Sequence, residues 1–207
     1  MGCDIHGVFE AHNPDADRWR YLGRLWPHVG RCYDTFGSLF GVRNMAQFEP
    51  LFADRGLPDT RGWKFDSIIK EYEDPDYHDG SLIGTVDFHS PTWVMLPELM
   101  DVDWDEEADA PDRRYSVLDE NKEPTGSKSA WSSGHTQLYQ QHEEELAAGE
   151  AVPFETSDGE QRYLQRRVQT RREALSGAWE WVIFDLMPLF GERYGEENIR
   201  LTVWFDN

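Results

Sequence analysis

The chain opens on an alternation. Cys3, Ile5 and Phe9 fall on one side of an extended segment and Asp4, His6 and Glu10 on the other, the period-2 pattern of a strand with one buried and one polar face. The turn-forming run His12-Asn13-Pro14-Asp15-Ala16-Asp17 follows, and Arg18 to Trp26 alternates again through Trp19, Tyr21 and Leu25, so a β-hairpin is expected. The closing segment, Asn198 to Asn207, sets Ile199, Leu201, Val203 and Phe205 against Arg200, Thr202, Trp204 and Asp206. A strand this apolar on both faces belongs inside a sheet.

Between these ends the pattern changes. Asp34-Thr35 followed by Phe36, Leu39, Phe40 and Val42 reads as a short capped helix that Gly41 can end. Phe48 to Gly62 carries Pro50, Gly56, Pro58 and Gly62 and reads as an ordered loop, and Trp63 to Tyr72 as helical turns. Leu82 to Phe88 and Thr92 to Leu96 resemble short strands interrupted by His89-Ser90-Pro91. From Asp101 to Gly134 the composition turns to Asp, Glu, Ser, Gly and Pro, the mark of an inserted, mobile acidic loop. Helical patterns resume at His135 to Ala148 and from about Gln161 to Tyr194, where Leu175, Trp179, Val182, Ile183, Leu186 and Phe190 form an apolar stripe and Pro188 marks a kink or an end. The expected fold is α+β: a central, mainly antiparallel sheet containing both terminal strands, packed against a long C-terminal helix. Residues 1–207 form one globular domain in this reading, with 101–134 as the insertion.

Composition narrows the function classes. Forty acidic against twenty basic residues give a net charge of −20, which repels nucleic-acid backbones and anionic membranes, so no broad nucleic-acid or membrane binding is expected. Cys3 and Cys32 are too few for a disulfide framework, and the first residues show neither a basic nor an apolar leader region. A reduced, cytoplasmic setting is expected. Arg162, Arg166, Arg167, Arg171 and Arg172 form a basic cluster on one helical segment, read as a solvated face or a docking surface.

Five stretches carry a family resemblance: Met1-Gly2-Cys3-Asp4-Ile5-His6, Phe40-Gly41-Val42-Arg43-Asn44, Arg55-Gly56-Leu57-Pro58-Asp59, His89-Ser90-Pro91-Thr92-Trp93 and Trp204-Phe205-Asp206-Asn207. In these the chain resembles an uncharacterised family found mostly in phages and actinobacterial genomes. The resemblance implies a mobile-element accessory protein working in the host cytoplasm. Asp4-Ile5-His6-Gly7 is also similar to the first motif of calcineurin-like metallophosphoesterases, where Asp and His bind a metal. Ala53-Asp54-Arg55-Gly56 is similar to the second motif and Gly134-His135-Thr136 to the last, but no Gly-Asn-His-Glu/Asp segment is present.

Two polar constellations are candidate sites. If the terminal strands are neighbours, Asp4, His6 and Asp206 approach one another with His89 arriving from a loop, a ligand set for a divalent metal such as Zn²⁺, Mn²⁺ or Mg²⁺, with Glu10 as general base of a metal-dependent hydrolase. Arg43, Asn44, Arg55 and Asp59 lie in a Gly/Pro-punctuated region where a guanidinium fork suits a phosphate. The plainer reading has Arg43 and Arg55 pairing with nearby carboxylates to pin the loop. Cys3 and Ser90 are weak nucleophile candidates, since strand alternation sets His89 and Ser90 on opposite faces, as it does Cys3 and His6. The leading expectation is a phage-type accessory protein binding a small phosphorylated or nucleotide-like ligand. The rivals are the metal-dependent hydrolase and a non-catalytic acidic protein that mimics nucleic acid or occupies a basic host protein.

Overall fold

The computed structural model describes residues 2–25, 29–71, 88–129 and 136–206. Strand β1 (Asp4–Asn13) and strand β2 (Arg18–Arg24) form the expected hairpin, with a bulge between Phe9 and Glu10. Helix α1 (Tyr33–Phe40) ends at Gly41, whose φ of 76° is the left-handed conformation that glycine adopts without a Cβ penalty. Helix α2 (Trp63–Glu71) follows the ordered loop. Strand β3 (Phe88–Met95) spans His89-Ser90-Pro91, where the expected interruption takes the form of a register shift between His89 and Thr92, and leads into the short helix α3 (Leu96–Met100). The strand expected over Leu82 to Phe88 lies outside the described residues except for Phe88, the first residue of β3.

The last strand, β8 (Ile199–Asp206), pairs antiparallel with both β1 and β3, giving a sheet of order β2-β1-β8-β3. Both faces of β8 are covered, as its two-sided apolar pattern requires. One face of the sheet presents Ile5, Phe9, Ile199, Leu201, Val203 and Phe205 to Phe36, Leu39 and Phe40 of α1 and to Trp179, Val182, Ile183 and Met187 of the C-terminal helix. The other sets Val8 and Trp204 against Phe65, Ile68 and Ile69 of α2.

Two expectations are corrected in the middle of the chain. The acidic stretch is not a free loop in its described part: β4 (Tyr115–Leu118) and β5 (Pro124–Ser129) belong to a second antiparallel sheet, order β5-β4-β7-β6, with β6 (Val152–Glu155) and β7 (Gln161–Gln165). Backbone bonds from Asp109 N to Gln47 O, Arg113 N to Met45 O and Asp112 N to Arg167 O tie it to the rest of the fold. The helix expected from Gln161 begins only at Gly177, because Tyr163 and Leu164 are recruited as a strand between β4 and β6. The arginine cluster is therefore not a helical face, and Arg171 is buried, donating to Glu106, Ser38 and Glu49.

The remaining helices are α4 (Thr136–Gln141), α5 (Glu143–Ala147), α6 (Gly177–Trp181) and α7 (Met187–Tyr194). A π-helical turn over Val182–Leu186 joins α6 to α7 without a break. It ends two residues before Pro188, which has no N–H for an i−4 bond, so the widened turn accommodates the ring where a kink or stop was expected. Among the described residues no helix is long and apolar enough to cross a membrane.

Candidate functional site at the shared end of three strands

The register of the first sheet brings the start of β1, the end of β8 and the start of β3 to one place: Asp4 and Phe88 both lie opposite Asp206, and His6 lies opposite Trp204. Asp206 joins them. Its Oδ1 accepts the Asp4 backbone N–H at 3.0 Å and its Oδ2 meets His6 Nε2 at 3.1 Å. The His6 ring stacks on Trp204 and receives the edge of Phe88, with centroids 5.9 and 5.8 Å away. Aromatic contacts and a carboxylate together orient the imidazole.

Cations stand at the same end. Arg31 Nη2 donates to Asp4 Oδ2 at 2.7 Å, and its guanidinium holds the Asp4 carboxyl below the usual carboxylate range while its own pKa is raised by Asp4. Arg43 is exposed, with a φ of 55°, and stands near enough to the buried Cys3 thiol to draw its pKa down. Burial pushes that thiol up more than Arg43 draws it down, so Cys3 is a protonated core group and not an activated nucleophile. Its backbone N–H donates to the Tyr33 hydroxyl at 3.1 Å. Arg43 is placed by a close approach of α1 to the loop behind it. A Cβ at Gly37 would come within 2.7 Å of Asn44 Cα.

Several expected site residues are engaged otherwise. Asn44 closes its own loop, donating to Phe48 O at 2.6 Å and accepting Phe48 N–H at 3.1 Å. Arg55 binds both oxygens of Glu98 at 2.9 Å, donates to Trp93 O and lies over the Phe52 and Trp93 rings. Burial works against the Glu98 charge, yet Arg55 and the Met95 N–H still hold this carboxyl below its ordinary value. Arg55 therefore pins the loop to α3 and does not present an open fork, while Asp59 stays exposed in the loop. Glu10, the expected general base, is fully buried and committed to structural partners, accepting Gly62 N–H at 2.8 Å and Arg200 Nη2 at 2.7 Å. Arg200 also donates to Thr60 O and stacks 3.6 Å above the Trp19 ring; burial draws its pKa down against the pull of Glu10.

The expected metal ligands split. His6 and Asp206 bind each other, Asp4 turns to Arg31, and His89 lies opposite Phe205 on the other face of the sheet, stacking on that ring at 6.1 Å. Among the described residues no group of three or more His, Cys, Asp and Glu side chains is placed to hold a metal ion. His89 and Ser90 do not fall on opposite faces as strand alternation predicts. Ser90 takes a φ of 51° inside a register shift between His89 and Thr92, which breaks the alternation and brings His89 Nδ1 to 3.0 Å from Ser90 Oγ. The His89 Nε2 is buried without a partner among the described residues.

The sequence reading missed a second polar centre, at the seam between α1 and the second sheet. Lys128 Nζ reaches Asp34 Oδ2 and Asp112 Oδ2 at 2.7 Å each and Gln169 Oε1 at 3.1 Å, while Arg114 also joins Asp34 and Asp112. Burial raises the Asp112 carboxyl, but Arg114 and Lys128 outweigh it and leave the pKa below its ordinary value. The available signal was Lys128, one of only four lysines, standing in a stretch where Asp and Glu outnumber the cations. Comparison with protein-family models, with curated protein sequences and with solved structures finds no match to the chain.

Proposed function

We propose that the chain is a phage-type accessory protein that binds a small phosphorylated or nucleotide-like ligand at the shared end of β1, β8 and β3, acting in the host cytoplasm in host takeover or counter-defence. The observation that carries this reading is the placement of two exposed guanidinium groups, Arg31 and Arg43, on either side of Cys3-Asp4, next to the oriented His6–Asp206 pair. Asp4 and Asp206 balance the two guanidinium charges, so in a molecule of net charge −20 the spot is a locally neutral patch whose directed N–H donors an anion can use. Guanidinium forks bind phosphate oxygens in a fixed geometry, and an imidazole held by a carboxylate adds a positioned donor. Three of the family-type stretches support the same place: Cys3, Asp4 and His6, Arg43, and Asp206 border it.

Calorimetric titration with inorganic phosphate, pyrophosphate and a panel of nucleotides tests the reading. At least one probe is expected to bind, with affinity falling as salt rises, and Arg31→Gln and Arg43→Gln are each expected to weaken it about tenfold, the worth of one charge-assisted hydrogen bond. Binding indifferent to both substitutions, or no binding by any probe, defeats the proposal. A response to Mn²⁺ or Zn²⁺ alone, lost in His6→Ala, would turn the assignment toward metal chemistry.

A further inference from the structure

A cavity of about 290 Å³ opens at the seam, lined by Asp34, Ser116, Ser127, Lys128, Arg167, Gln169 and Glu173 together with Pro124 and Gly126 of β5. Gln169 is only 7% exposed, and its Nε2 has no partner among the described residues. The orientation of that amide is dictated by its neighbour. Lys128 carries donors only, so its 3.1 Å contact requires Oε1 on that side and turns Nε2 away from it. Two N–H donors are thus buried beside the cavity, and buried donors demand acceptors.

The charges of the lining decide what kind of acceptor fits. Lys128 has all three donors committed to Asp34, Asp112 and Gln169, and both Asp34 oxygens are taken by Arg114 and Lys128. Arg167 and Glu173 pair at 3.1 Å, with the other Glu173 oxygen accepting Thr170 N–H, so both keep further donor or acceptor capacity. Two cations and two carboxylates make the wall neutral, and its spare capacity is of both kinds, donors on Gln169 and Arg167 and an acceptor on Glu173. A ligand carrying one charge of each sign leaves that balance undisturbed. Such a ligand also finds an oxygen-seeking amide and guanidinium beside an ammonium-seeking carboxylate.

We propose that this cavity binds a small zwitterion of the α-amino-acid type, its carboxylate received by Gln169 Nε2 and Arg167 and its ammonium by Glu173. The site is separate from the phosphate-binding end of the first sheet. Titration calorimetry of the full chain would compare free α-amino acids with their amides, which lack the carboxylate, with deaminated acids, which lack the ammonium, and with inorganic phosphate. At least one amino acid is expected to bind, at least tenfold tighter than its amide or deaminated analogue. Gln169→Leu is expected to abolish that binding. Because Gln169 is buried and its replacement can perturb folding, Ser127→Tyr on the exposed β5 strand is the second variant: it fills the cavity, and is expected to remove binding with the melting temperature unchanged. Arg43→Gln should leave amino-acid binding intact, which separates the two sites. No binding by any amino acid, equal binding of the amides, or binding that survives Ser127→Tyr overturns the proposal.

Discussion

The two sheets are held by different forces. In the first, both faces of β8 are packed with apolar side chains, and its one fully buried ion pair, Glu10–Arg200, sits among aromatic and aliphatic groups. The second has a small core of Tyr115, Tyr139, Leu146, Val152 and Leu164, and is tied to α1 by Lys128 and Arg114 bridging Asp34 and Asp112. Apolar burial does not depend on ionisation, whereas a network of carboxylates and cations holds only while both are charged. The second sheet is therefore the part of the molecule whose attachment answers to pH.

The largest expected effect breaks the first sheet. Arg200→Ala leaves the Glu10 carboxylate buried and unpaired, and should cost about 3–5 kcal/mol in urea denaturation, with unfolding still a single transition. Replacing both partners by apolar residues, Glu10→Leu with Arg200→Met, should recover most of that loss, since no buried charge is left alone. Next comes Lys128→Met, which removes three donors from the seam but leaves Arg114 on both carboxylates. A cost of about 1.5–3 kcal/mol is expected, and it should be local. Hydrogen exchange should quicken in β4 to β7 while amides of β1 and β8 keep their protection.

Acid sharpens the contrast. The Asp112 carboxyl is held below its ordinary value in the folded chain, so its contribution is fully present above the unfolded pKa of about 3.9 and is lost as pH falls through the lower folded value. Stability of the wild type should decline with falling pH in that window, with signals from Tyr115 and Tyr139 changing before those of the first sheet. In Asp112→Asn the slope should flatten. The smallest effect is expected at the Tyr115–Tyr139 stack, with centroids 4.3 Å apart. Tyr139→Leu should cost about 0.5–1.5 kcal/mol, read from the melting of the same sheet.

The same contrast explains what was legible in the sequence. The terminal strands, α1 with its Gly41 stop and the burial of Trp179 rest on local periodicity, and each is present. The second sheet is not written that way. Pro124 to Ser129 carries no apolar alternation and Gln161 to Gln165 sits in an arginine-rich run, so both become strands through their partners. Strand alternation brought Asp4, His6 and Asp206 together correctly, because pairing of β1 with β8 places them on one face. It could not say which partner each would choose: Arg31 for Asp4, Glu98 for Arg55 and Arg200 for Glu10 are all contacts across the fold. His89 was misplaced because the left-handed Ser90 interrupts the pattern on which the argument relied.

The assignment of ligand binding to the end of the first sheet is tested most directly by amide chemical-shift mapping with the tightest-binding phosphorylated probe. The account predicts shifts confined to Cys3 to His6, Arg31, Arg43, Phe88 to Ser90 and Trp204 to Asp206. Shifts confined instead to Ser116, Ser127, Lys128 and Gln169, or the absence of any shift at saturating probe, would contradict it.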